Sequence, residues 1–126
     1  MIRKYSQLQL NYENVQPLLD NFEKEWLKQG VESILSFEKF LPAIVLNKII
    51  VPKEKRGLGL GSKYMKALCK LADSLSIHLA LTPDTSYGGS SVSRLTKFYS
   101  QFGFVKNSGR KRNFKTRETM LRKPQI

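Results

Sequence analysis

Apolar residues Val15, Leu18, Leu19, Phe22 and Trp26 follow the spacing of one helical face. The pattern predicts a helix capped at Asn14 and ended by Gly30, with Pro17 in the first turn, where a missing N–H is tolerated. Residues 31–38 read as a second short helix, which Pro42 separates from the next element. Ala43 to Val51 is a β-branched apolar run, too short and dense for a surface helix, and predicts a largely buried strand closed by Pro52. Leu60, Tyr64, Leu68, Leu71, Ala72 and Leu75 then mark one face of an amphipathic helix, with Lys63, Lys66, Lys70 and Asp73 on its polar side. Ile77 to Thr82 is a further apolar run, ended by Pro83. Strand, turn, helix and strand in that order make a βαβ unit with parallel strands. Beyond a polar loop through Tyr87, Gly88, Gly89 and Ser90, a third helix places Val92, Leu95, Phe98 and Phe102 on one side and stops at Gly103. Phe104-Val105 and Thr119-Met120-Leu121 predict a closing antiparallel pair joined by a basic loop.

Composition narrows the class. With 126 residues, 40% hydrophobic and 25% charged, the chain suits one compact α/β (α+β) domain spanning residues 1–126. Cys69 is the single cysteine and His78 the single histidine, so neither a disulfide nor a zinc site is expected, and no metal is assigned. No apolar run approaches the roughly 18 to 20 residues of a membrane span, and Met1 to Ser6 lacks the apolar stretch of a signal peptide. A soluble cytoplasmic protein without a membrane partner is the expectation.

The formal charge is +12, from 22 Lys+Arg against 10 Asp+Glu, and it is unevenly placed. Residues 1–40 hold five basic and six acidic groups, residues 52–70 hold six basic against Glu54, and residues 104–126 hold eight basic against Glu118. A nucleotide-like cofactor, a nucleic acid or an acidic protein could each supply the counter-charge.

One of these blocks surrounds the turn Arg56-Gly57-Leu58-Gly59-Leu60-Gly61-Ser62, between a predicted strand and a predicted helix. Unpaired N–H groups and the positive helix end converge there, glycines admit an anion close to the backbone, and Lys53, Lys55, Arg56 and Lys63 add attraction. A glycine-rich turn can also serve only to reverse the chain. A Walker loop requires Gly-Lys-Ser/Thr, whereas Gly61 is followed by Ser62-Lys63. A Rossmann site requires an acidic residue near the end of the next strand, where His78 and Thr82 stand.

The turn matches Arg/Gln-x-x-Gly-x-Gly/Ala, and about 40 residues on Leu95 to Phe104 ends in Phe-Tyr-x-x-x-Gly-Phe. On these two signatures, over roughly Ile44 to Lys123, the chain resembles the GNAT family of acetyl-CoA-dependent N-acetyltransferases. Its ending, with Gly109-Arg110, Phe114, Glu118 to Met120 and Arg122-Lys123-Pro124, resembles small phage-type or mobile-element members. The resemblance implies a mixed sheet with two splayed parallel strands and a shortened N-terminal part. It implies acetyl-CoA as co-substrate, its pyrophosphate on the amides of Leu58 to Ser62, with Arg56 and Gly57 beside it. The pantetheine arm would lie along the backbone of Ile49, Ile50 and Val51. The family's acid maps onto Tyr99, whose phenol would protonate the leaving thiolate. The Asn that the family often carries seven residues earlier is Val92 here, and Ser90, Ser91 and Arg94 are the neighbouring polar alternatives. Only Phe37 to Pro42 stands where the family has a β-hairpin before its first central strand.

An amine acceptor at pKa about 10.4 costs about 4.6 kcal/mol to neutralise at pH 7, so a base or water chain should assist. Asp84 and Glu118 are the candidates, while Glu54 reads as a solvated loop charge. His78 reads as a sheet residue and Cys69 as an unactivated thiol. The acceptor, a protein lysine, an N-terminus or a small amine, stays open, with amines on acidic or nucleic-acid-bound partners favoured by charge. The competing class is a binding module of the same fold, acting through its basic surface on nucleic acid or a host complex.

Overall fold

The protein is described here by a computed structural model covering residues 10–87 and 91–125. The signal-peptide reading at Met1 to Ser6 and the polar contact assigned to Ser90 lie outside the described residues. In chain order the elements are α1 (Tyr12–Lys28), β1 (Glu32–Glu38), β2 (Ala43–Ile50), α2 (Leu60–Leu75), β3 (His78–Leu81), α3 (Val92–Ser100), β4 (Val105–Lys106) and β5 (Met120–Arg122). The sheet order is β1-β2-β3-β5-β4, with β2 and β3 parallel and the other neighbours antiparallel.

Helix α1 starts earlier than the apolar spacing suggests. Asn11, not Asn14, is its cap, and the Asn11 side chain accepts the Asn14 N–H at 2.9 Å. Glu32–Glu38 is a strand rather than the short helix expected over residues 31–38: Val31, just before it, and Ser33, Leu35 and Phe37 within it are buried in alternation. The antiparallel partner of β2 is therefore present, longer than the expected remnant at residues 37–42.

As an edge strand β1 exposes backbone groups, and α1 covers them with two side chains. The Gln16 amide donates to the Leu35 carbonyl at 3.2 Å and accepts the Phe37 N–H at 3.2 Å, as a neighbouring strand would. The Glu23 carboxylate accepts the Leu35 N–H at 2.7 Å. An unsatisfied, partly buried donor costs about 1 to 3 kcal/mol, so Glu23→Ala should lose roughly that in urea unfolding and Gln16→Ala somewhat less. Losses below 0.5 kcal/mol, on the order of ordinary surface changes, would show that water replaces both side chains.

The main core joins α1, α2 and α3 to one face of the sheet, through Leu35, Ile44, Leu46, Leu79, Leu81 and Met120. Phe22 and Trp26 of α1 meet the Tyr64 ring of α2 edge-on at 5.3 and 5.4 Å. The other face carries a smaller cluster of Leu41, Ala43, Val45, Ala80 and Leu121. Asp73, expected on the solvent side of α2, is instead drawn to Arg122 of β5, a buried residue at 3% exposure.

The β1–β2 register places a kink in the middle of β2. Ile34 pairs with Lys48 but Leu35 pairs with Leu46, so Asn47 is an extra residue on β2, a β-bulge. Its amide donates to the Ser36 hydroxyl at 2.9 Å and so ties the bulge to β1. The bulge also inverts the facing of the residues beyond it, and Ile49 and Val51 join Ile44 and Leu46 in packing against the main core. Pairing of β2 with β3 stops at Leu46 and Leu81, immediately before the bulge, although β2 continues to Ile50. β3 itself ends at Leu81, so from that point β2 runs on without a strand partner on that edge. No helix among the described residues is long and apolar enough to cross a membrane.

Candidate active site

Two hollows lie by the end of that pairing, and neighbouring residues of α3 line both. The first, about 320 Å³, lies over the glycine turn and is lined by Val51, Arg56, Gly57, Gly59 to Ser62 and Phe98, with Lys55 at its margin. Gly57 and Gly59 have φ of +84° and +79°, the left-handed region that glycine occupies without penalty. Open space surrounds both, with no atom within 4 Å of where a Cβ would stand. Gly59 is the residue before α2 and has no side chain with which to cap it. The N–H groups of Leu60, Gly61 and Ser62 therefore lack intrahelical acceptors and open onto the hollow, the arrangement that receives an anion. The Leu58 side chain is 67% exposed and lies outside the lining.

Two cations beside the turn also work as braces. The Lys55 ammonium donates to the Gln29 carbonyl at 3.2 Å, and a Cβ on Gly30 would come within 2.7 Å of it. Arg56 donates through Nε to the Val51 carbonyl at 3.0 Å, which leaves its terminal nitrogens toward solvent. The Val51 carbonyl is thus engaged, and Ile49 and Ile50 keep the open edge of β2 on the side where β3 has ended.

The second hollow is a slot where the pairing ends, lined by Leu46, Asn47, Lys48, Ile49, Leu81, Thr82, Asp84 and Tyr99. It has room for little more than one water, about 20 Å³. Tyr99 is 6% exposed, and burial raises its phenol pKa, so the hydroxyl keeps its proton. Asp84 stands exposed at the rim. Hydrogen bonds from Ser86, including its backbone N–H at 2.8 Å, hold the Asp84 carboxyl below its ordinary range and make it a weaker base. Glu118 reaches the same end of β3 from the far side and accepts the Thr82 hydroxyl at 3.4 Å, while Thr82 accepts the Thr119 N–H at 3.2 Å. Tyr99, Asp84 and, through Thr82, Glu118 are thereby brought to one opening.

Other assigned residues stand apart. The Ser91 hydroxyl caps α3 by accepting the Arg94 N–H at 3.1 Å, and neither residue lines the two hollows. His78 lies at the start of β3, away from the opening, and Cys69 is buried, its thiol pKa raised by that burial. Among the described residues no group of three His, Cys, Asp or Glu side chains is placed to hold a metal. Sequence reasoning overlooked Asn47, Thr82 and Phe98. Asn47 had a signal, as the one uncharged polar residue in Ala43 to Val51. Phe98 lies 3.6 Å from where a Gly61 Cβ would stand, a contact without any local signature.

The chain is similar in structure to Ard1 from Thermoplasma volcanium, with a TM-score of 0.55 and 19% sequence identity over 88% of this chain and 80% of that one. The likeness establishes the acyltransferase fold of the GNAT type. The sequence matches no family model and no curated protein.

Proposed function

We propose that this protein is an N-acetyltransferase that moves the acetyl group of acetyl-CoA directly to a primary amine. The observation that carries the reading is the unpaired edge of β2 beyond Leu46, where pairing with β3 ends beside the Asn47 bulge, between an uncapped helix end and a buried tyrosine. The residues suit the co-substrate: Cβ-free space at Gly57 and Gly59 admits a pyrophosphate to the amides of Leu60 to Ser62. The free edge at Ile49 and Ile50 offers backbone partners to an amide-containing arm.

Acetyl-CoA, when bound, supplies an acetyl group activated as a thioester. In the transfer the amine nitrogen forms a bond to the acetyl carbon as the carbon–sulfur bond breaks, with the amine proton passing to a base and a proton returning to sulfur. Asp84 lines the opening and Glu118 stands behind Thr82, and either can accept the first proton, Asp84 directly and Glu118 through water. Tyr99 assists the second without supplying the proton, which the thiolate takes from water. A phenol at its ordinary pKa gives a proton to a thiolate of conjugate acid near 8.5 only at a cost of about 2 kcal/mol, and its raised pKa increases that cost. Its part is to donate a hydrogen bond to sulfur as charge develops there.

The first test is calorimetric titration of acetyl-CoA into the folded protein. Micromolar binding is expected, and absence of binding to well-folded protein would overturn the reading. In Tyr99→Phe, turnover should fall about 10- to 100-fold with acetyl-CoA affinity unchanged. Equal turnover would remove Tyr99 from the chemistry.

A further inference from the structure

A separate cavity of about 640 Å³ lies on the face of the sheet turned away from the three helices. Its floor is Val105 of β4 and Leu121 of β5, directly paired, with Leu121 also opposite Ala80 of the smaller apolar cluster. Lys106, Lys111 and Lys123 stand around it, with Asn113 and His78 at the rim. Burial, aided by the charge of Lys123, lowers the His78 pKa, so near neutral pH it offers uncharged hydrogen-bonding nitrogens.

The wall is built rather than loose. Asn107, 7% exposed, donates its N–H to Thr119 at 2.7 Å and its amide to the carbonyls of Asn113 and Glu118 at 3.1 and 3.0 Å. It also accepts the Asn113 N–H at 2.7 Å. The loop so pinned is cationic. Besides Arg122, which Asp73 holds, residues 104–125 carry seven basic groups against Glu118. None of the seven meets a carboxylate at ion-pair distance among the described residues. Next to Asn113, Phe114 is 83% exposed, with the Arg112 guanidinium 5.4 Å from its ring centre.

We propose that this face binds single-stranded nucleic acid, with one unpaired base on the Val105–Leu121 floor and the flanking phosphates on Lys106, Lys111 and Lys123. The cavity has the volume of a small-molecule site, and its apolar floor with polar rim suits a base. Phe114, paired with Arg112, offers a stacking surface for the next base. A duplex presents no free base to the cavity. The inference is independent of acetyl transfer, since it uses none of the residues of the cleft.

The test is fluorescence anisotropy of a labelled single-stranded 15-mer RNA of mixed sequence between 50 and 200 mM salt. Log affinity should fall against log salt with a slope between about −2, for three phosphates, and about −5, for seven. Lys106→Gln with Lys111→Gln and Lys123→Gln should weaken binding at least tenfold and flatten the slope by about 2. Val105→Trp, which fills the cavity from an exposed position without changing charge, should weaken binding with the slope retained; circular dichroism confirms that both variants are folded. The proposal is overturned by absence of binding, or by equal weakening in Lys24→Gln with Lys66→Gln and Lys70→Gln, on the helices. Equally tight binding of a duplex, unaffected by Val105→Trp, overturns it too, as does stronger binding of polyglutamate than of RNA.

Discussion

Gly59→Glu should abolish acetyl-CoA binding, at least 100-fold in calorimetry, while the protein stays folded. A Cβ at this position meets nothing within 4 Å, so no clash follows. The φ of +79° imposes a strain of about 1 to 2 kcal/mol on any L side chain. A carboxylate at the start of α2 returns about 0.5 kcal/mol of that through the helix dipole. The same carboxylate occupies the space over the Leu60 to Ser62 amides and repels a pyrophosphate from it. Gly59→Ala separates the two effects, since it carries the strain without the charge, and should retain affinity within tenfold. Wild-type affinity in Gly59→Glu would mean that the anion is received elsewhere. Equal loss in both variants would mean that the turn's backbone, rather than the open space above it, is what the ligand requires.

Arg122→Met should destabilise the fold by about 3 kcal/mol, the largest expected effect of a single change outside the cleft. The Arg122 guanidinium is held by both Asp73 carboxylate oxygens, at 2.8 and 3.1 Å, and donates through Nε to the Phe102 carbonyl at 2.7 Å. That one side chain ties β5 to α2 and to the turn after α3. The hydrogen bonds with Asp73 raise the Arg122 pKa further, so the pair stays charged over the working range. Methionine fills most of the volume but takes the guanidinium away from Asp73, whose carboxylate still accepts the Gln125 N–H at 2.8 Å, and leaves the Phe102 carbonyl without its donor. Urea unfolding of Arg122→Met, Asp73→Leu and the double variant measures the coupling. The double variant should recover at least half of the loss, because removing both charges avoids stranding either one. A loss in Arg122→Met below 1 kcal/mol would show that water reaches Asp73 and replaces the pair.

Some elements were legible because their causes are local. The periodic run from Leu60 to Leu75 forms α2 as expected, and the glycine turn stands between strand and helix because its residues alone dictate the reversal. β1 was misread for an equally local reason. Val31, Ile34 and Leu35 stand at helical spacing, and their true alternation shows only once β2 lies beside them. The strand further depends on Gln16 and Glu23, 19 and 12 residues from Leu35, to satisfy its outer edge. The cleft divides the same way. Tyr99 and the glycine turn, which line the two hollows, stand in short patterns visible in the sequence, whereas Phe98 carries no such mark because it meets the start of α2 only in the folded chain.

By itself the sequence determined α1, α2 and α3, the parallel pair, the glycine turn and the concentration of charge near the C-terminus. Each depends on residues a few positions apart, whose spacing, backbone freedom or charge acts before the chain is packed. Tertiary structure decided the rest: the insertion of β5 between β3 and β4, the bulge at Asn47 in the β1–β2 register, and the Asp73–Arg122 clamp. It also placed the basic loop behind the sheet rather than at the cleft. These features rest on which strands pair and in what register, and register is set by the simultaneous burial of distant apolar residues.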